Sequence, residues 1–377
     1  MNGNAHSTEL TTQEMYQWKA DESTYTATDI DGKITSIIDQ AYRDFIEGLI
    51  SIETFVGRIL PSDTPAFRMT DKIIERNDLK IVTNDLKRYR LANYFTSVIK
   101  LFAHYSPEYL YSPNVELFFH CCFKLELGKE LFTDPLGYTT KRGDKPMRQF
   151  ELYNSLLTLI RTESRNHEFD GKIHSRQYNA ERNLKSAVSF LRKLFARRLL
   201  VLRVDFYYLP KHANCISVEE ARKDLAHFLY NLRRNKELSE NLEGYIWKIE
   251  FTPLKKLHFH MLFLLDSSTV QNDEFWANKF GTYWSEVITQ GRGRFYNGNT
   301  KGNKRKFEIN GMCGIGKIGR IHAAPADDSD IDKRNILLNR IVVYMLKPDQ
   351  VLLTTKLCNG KHRLYGKGVG RNSRRKG

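Results

Sequence analysis

Apolar positions in the first half of the chain recur at three- and four-residue intervals. Ile34, Ile37, Ile38, Ala41, Tyr42, Phe45, Ile46, Leu49, Ile50 and Ile52, then Phe55, Val56 and Ile59, trace one stripe that Pro61 ends, which predicts an amphipathic helix. The same spacing predicts helices at about 85–104, 114–127 and 147–162. It lapses between Glu163 and Gln177, which reads as a loop, and returns as a helix at about 178–198. Strand patterns appear only after that. Leu199–Tyr208 is rich in branched and aromatic residues, and Pro210 follows it. A helix is expected at 218–234, with Ser217 and Glu220 at capping-box spacing. Gly244–Thr252, a turn around Pro253-Leu254-Lys255-Lys256 and the apolar run Leu257–Leu265 then read as an antiparallel hairpin.

Helices at 273–288 and from about Asp332 to Lys347 complete the pattern, the first with Trp276, Phe280, Tyr283, Trp284 and Val287 as a core stripe. The order divides the chain into an acidic mobile arm (1–30), a mostly helical domain (31–190), a domain of class α+β with helices on an antiparallel sheet (191–370) and a basic tail (371–377).

Charge sharpens this picture. The 377 residues carry a formal net charge of +15. Residues 1–50 hold three Lys/Arg against nine Asp/Glu, whereas residues 351–377 hold eight Lys/Arg and no acid. A polyanion, nucleic acid before membrane, is the expected partner of the C-terminal end, with Arg371, Arg374 and Arg375 as phosphate contacts. Five cysteines form no C-x-x-C pair, residues 1–30 lack the regions of a signal peptide and no apolar run reaches membrane-spanning length, so a reducing cytoplasm is expected. His120, Cys121 and Cys122 read as core.

Two short patterns carry chemistry. His258 and His260 stand one residue apart on a strand, so their imidazoles share a face and can hold one divalent ion. An odd-length hairpin loop would pair Glu250 with His258 and supply a third ligand. An even one would turn Glu250 away and leave Asp205 as the reserve. In Tyr344-Met345-Leu346-Lys347 the Tyr hydroxyl and Lys ammonium are three apart on a helix, with Arg340 four before, a face suited to a phosphodiester. Gly311–Ile318 imitates a P-loop but has Ile318 where Ser or Thr should stand, and no long helix follows, so nucleotide binding is not expected.

His-hydrophobic-His on a strand followed by Tyr-x-x-Lys on a helix resembles the HUH endonucleases that start rolling-circle replication. The closer likeness is to the inovirus gene-two-type initiators and their YagK/YfjJ prophage relatives, through Leu200–Tyr208, Trp247-Lys248-Ile249-Glu250, Tyr344–Lys347 and Arg363-Leu364-Tyr365-Gly366. The likeness covers about residues 190–370. It implies nicking of single-stranded or origin DNA by Tyr344, leaving a 5′-phosphotyrosine and a 3′-OH. It also implies Mg²⁺ or Mn²⁺ on His258, His260 and Glu250, Lys347 beside the phosphate, and a host helicase and polymerase. The alternatives are a non-catalytic basic nucleic-acid-binding regulator with structural histidines, and an iron oxygenase, which would leave the Tyr-x-x-Lys helix unexplained.

Overall fold

The run Leu199–Tyr208 becomes a strand buried along its whole length, and the larger part of the molecule is built on it. The computed structural model describes residues 11–21, 24–28, 34–69, 81–83, 90–128, 131–139, 146–304, 319–323, 328–347, 351–357 and 363–370. Contacts divide the chain into two units, residues 1–39 with 178–349 and 354–377, and residues 40–177 with 350–353.

The second unit is mainly helical. Its first helix, Gln40–Ile59, buries Tyr42, Ile46, Leu49, Ile52, Phe55, Val56 and Ile59, the stripe read from the sequence. That helix starts later than the periodicity suggests. Ile34–Ile38 is a strand, paired antiparallel with Thr24–Thr28, because β-branched residues at 34, 37 and 38 suit a pleated ribbon as well as a helix. Phe55, Phe95, Phe118, Phe132 and Tyr153 make the aromatic core. On the helix Pro113–Lys124, Cys121 and Cys122 are buried as expected, but His120 is exposed.

In the first unit we number the elements α1 (Thr12–Asp21), β1 (Thr24–Thr28), β2 (Ile34–Ile38), α2 (His167–Leu194), β3 (Leu199–Tyr208), α3 (Val218–Arg234), β4 (Leu242–Thr252), β5 (Lys256–Asp266), α4 (Asp273–Thr282), β6 (Gly293–Asn297), β7 (Arg320–Ile321), α5 (Asp328–Leu346) and β8 (Tyr365–Val369). The start of α2 crosses into the second unit. Its residues 167–177 are helical where the sequence suggested a loop, since a polar stretch can be helical without an apolar stripe to announce it. Nor is the N-terminal segment a featureless arm: α1 buries Met15, Tyr16, Lys19 and Ala20.

The main sheet is antiparallel in every pairing, in the order β6-β3-β5-β4-β8, with β7 on the far end of β3. Helices accompany it, so the α+β class holds. Alternation gives the sheet two faces. One carries Phe206, Phe259 and Phe263, with Phe206 stacked on Trp284 at 4.9 Å and Phe263 on Phe280 at 4.2 Å. Ser217 and Glu220 close the α3 capping box as predicted. The expected stripe on 273–288 slips by one residue, because a π-turn over Tyr283–Ile288 buries Ile288 and leaves Val287 46% exposed. The other face joins Val201, Ile246, Leu262 and Leu264 to Ala187 and Leu191 of α2 and to Leu337, Ile341, Val342 and Met345 of α5. Among the described residues no helix is long and apolar enough to cross a membrane.

Candidate metal centre

The loop between β4 and β5 decides which side chains meet. It is Pro253-Leu254-Lys255, three residues, and Lys256 closes it in the left-handed region at φ 54°. Three-residue hairpin loops commonly carry such a residue. The odd length pairs Glu250 with His258 and Lys248 with His260, so all four project from one face. On the other flank Asp205 pairs with His260. Two residues further along β5 the same face is the apolar core at Leu262.

Each histidine is fixed through Nδ1. His258 Nδ1 donates to the Lys256 carbonyl oxygen, and His260 Nδ1 to Asp205 Oδ1, both at 2.8 Å. Each Nε2 is thereby left buried with no hydrogen bond, on imidazoles that are 0% and 2% exposed. A buried polar atom without a partner is uncommon, and two facing one carboxylate are a vacancy for a shared ion. The ligand atoms of Glu250, His258 and His260 lie within 4.8 Å of one another. An ion at 2.0–2.2 Å from each would need separations of at most about 4.4 Å, a closure of a few tenths of an ångström. The group can therefore hold a metal ion.

Charges around the group set its protonation. Burial, then the neighbouring His260, push His258 down to about 3, so its Nε2 keeps a free lone pair. Burial opposes a charge on His260 as well, but Asp205 and Glu250 outweigh it and raise His260 to about 9. Glu250 is buried, yet Lys19 and Lys248 hold its carboxyl well below the usual range. The contacts are Lys248 Nζ to Oε1 at 2.7 Å, Lys19 Nζ to Oε2 at 3.4 Å and His260 Nε2 to Oε2 at 3.6 Å. Asp205 is kept ionised against burial by Arg203, whose Nε and Nη2 lie 3.2 and 3.3 Å from its two oxygens. Asp205 is therefore the orienting partner of His260 and not a third ligand.

Tyr344 reaches this face from α5. It is 7% exposed, its ring 6.4 Å from the His260 ring and under the Arg203 guanidinium at 5.1 Å. Lys347 is half-buried and ends the helix, its backbone N–H bonded to the Val343 carbonyl at 2.9 Å. Arg340 is exposed whereas Tyr344 is buried. A π-turn at Leu337–Ile341 alters the phase between them, and the described cation on the tyrosine ring is Arg203. Arg371, Arg374 and Arg375, and the P-loop imitation at 311–318, lie outside the described residues. Compared with protein-family models, curated proteins and solved structures, the chain matches none.

Three residues of the site were not singled out from the sequence: Lys248, Arg203 and Lys19. The first two had a signal, since each is a lone charge two residues from another charge in an apolar strand and hence on its face. Lys19 stands 231 residues before Glu250 and had none.

The roles of Asp205 and Glu250 separate in a mutation. Asp205→Asn should lower divalent-ion affinity by about 10–100-fold, the usual loss when a histidine's carboxylate partner is removed. Glu250→Gln should lower it further. Manganese titration by calorimetry compares them, and an Asp205→Asn protein that binds as tightly as wild type would remove the orienting role.

Proposed function

We propose that the chain is a metal-dependent HUH-type endonuclease and strand transferase that nicks single-stranded origin DNA to start rolling-circle replication of a phage or prophage-like element. The observation that carries this reading is the convergence of two orphaned imidazole Nε2 atoms, one carboxylate and the Tyr344 ring on one sheet face. A divalent ion held there, Mg²⁺ or Mn²⁺, polarises a phosphodiester and offsets its developing negative charge. The ion fits the donor set, and an oxygen-rich substrate favours those two over softer metals.

The side chains supply the rest. Tyr344 Oη attacks phosphorus, the bond to the 3′ oxygen breaks, and the tyrosine's proton ends on the departing 3′-OH. The product is a 5′-phosphotyrosine and a primer terminus for a host polymerase, with a host helicase separating the strands. Arg203, stacked on the ring, fixes its plane and favours the phenolate by its charge. Lys347, three residues on, is the candidate to neutralise a phosphate oxygen.

Incubation with single-stranded DNA and manganese, followed by denaturing electrophoresis, tests the reading. The expected result is a covalent protein–DNA adduct that chelator abolishes. Binding without any metal-dependent cleavage would favour the basic regulator instead. The tail makes a separate expectation. Replacing Arg371, Arg374, Arg375 and Lys376 by Ala should weaken binding for all sequences alike and flatten its salt dependence, because phosphate contacts release counterions without reading bases. An unchanged salt slope would leave the tail no part in binding.

A further inference from the structure

Lys19 enters the centre from α1, an element outside the sheet. Its side chain is 6% exposed, and its Nζ lies 3.4 Å from Glu250 Oε2, the oxygen that also faces His260 Nε2 at 3.6 Å. Lysine is almost never buried to this degree without an anion beside it. The anion here is a carboxylate that the proposed function assigns to a metal ion. An ammonium and a divalent ion sharing one carboxylate oxygen repel each other strongly in so enclosed a space.

The neighbours do not relieve that repulsion. Lys248, 1% exposed, sits 2.7 Å from the other oxygen of Glu250 and is tied to it by the strand, two residues away. Arg203 already spends its charge on Asp205. His260 is paired to Asp205, and His258 is neutral. Three fixed cations, Lys19, Lys248 and Arg203, therefore surround two carboxylates before any ion arrives. An ion adds positive charge, and the balance then calls for an anion in reach of both the ion and Lys19.

We propose that Lys19 is a phosphate-binding residue of this centre, taking one non-bridging oxygen of a nucleic-acid phosphodiester, so that metal and phosphate each strengthen the other's binding through it. The inference rests on the metal-binding reading of His258, His260 and Glu250. It assigns α1 a share in the substrate site that lies some 230 residues away in sequence. It also gives a reason for a lysine to be buried there: phosphate replaces carboxylate as its counter-charge once the ion has taken the carboxylate. By linkage, whatever phosphate does for metal affinity, metal does for phosphate affinity.

The test measures manganese affinity by calorimetry and by the spin resonance of free Mn²⁺, in a Tyr344→Phe background that prevents cleavage. The phosphodiester probe is the dinucleotide d(TpT). In that background d(TpT) should raise manganese affinity at least tenfold. Adding Lys19→Met, which keeps the apolar stem, should let manganese alone bind at least threefold tighter and cut the d(TpT) effect below twofold. Lys19→Arg should restore the coupling. An enhancement that persists in Lys19→Met, or one already missing with Lys19 in place, overturns the proposal. So does weaker manganese binding by Lys19→Met at an unchanged unfolding midpoint, which would make Lys19 a support of the site. The double variant His258→Ala/His260→Ala is the control on the underlying reading. If it binds manganese undiminished, the metal centre itself falls and the inference with it; if it loses manganese while Lys19→Met changes nothing, only the inference falls.

Discussion

Tyr344→Phe should bind single-stranded DNA within about threefold of wild type, retain the metal centre and yield no covalent adduct, with cleavage down by more than about 10⁴, the scale on which enzymes lose a nucleophile. The substitution removes one hydroxyl and nothing else. The ring keeps its contact with Arg203 at 5.1 Å and its place 6.4 Å from His260. The two neighbouring tyrosines of β3 are poorly placed to substitute. Tyr207 shares the site face, but burial and the Asp205 carboxylate raise its phenol well above the ordinary value, and its hydroxyl donates to Asp205 Oδ2 at 3.3 Å. Tyr208 points to the opposite face and donates to Asp224. A residual phosphotyrosine in Tyr344→Phe would make Tyr207 the next residue to replace. Nicking without an adduct would mean that water attacks, and the covalent route would be wrong. With a single tyrosine on the motif helix, the second strand transfer of a replication cycle falls to another protein molecule or to water.

Metal affinity should rise about tenfold per pH unit between pH 7 and pH 9 and level off above, with about one proton released per ion bound below that point. His260 is the cause. An ion on Nε2 must displace the proton that Asp205 and Glu250 hold there up to about pH 9. His258, down at about 3, has no proton to lose in this window. The charged groups around them, Lys19 of α1, Arg203 and Asp205 of β3 and Lys248 and Glu250 of β4, keep their charge through most of it. The metal-free protein should show the opposite trend in stability. A histidine whose folded pKa is raised contributes stability that is complete below its unfolded value near 6.5 and disappears as pH passes 9, a change on the order of a few kcal/mol. Calorimetry in two buffers of different ionisation enthalpy counts the proton. No proton release at pH 7 would show that His260 is already neutral.

What was legible in the sequence was local. β3 and the α3 capping box fall where the residues put them, because strand alternation and an N-cap are decided within a few positions. The histidine pair was legible for the same reason. Glu250 was legible only up to a parity, since a turn of two, three or four residues around Pro253 changes its face and the left-handed Lys256 that settles it is not a glycine or asparagine. The helix phases at Val287 and Arg340 were misjudged because π-turns shift them by one residue, and a regular period of 3.6 cannot announce such a shift. Lys19 was beyond reach: nothing within a window of α1 refers to a strand that begins at Leu242.

That separation also orders events in time. The centre draws on Lys19 near one end of the chain and on Tyr344 some 325 positions later. During synthesis at roughly 5–20 residues per second, about 15–65 s pass between the emergence of the two. A growing chain thus completes its histidine hairpin, and can capture an ion, well before it owns a nucleophile. A chain interrupted after β5 would bind metal and cut nothing, so the capacity to open DNA is confined to chains whose translation has run through α5.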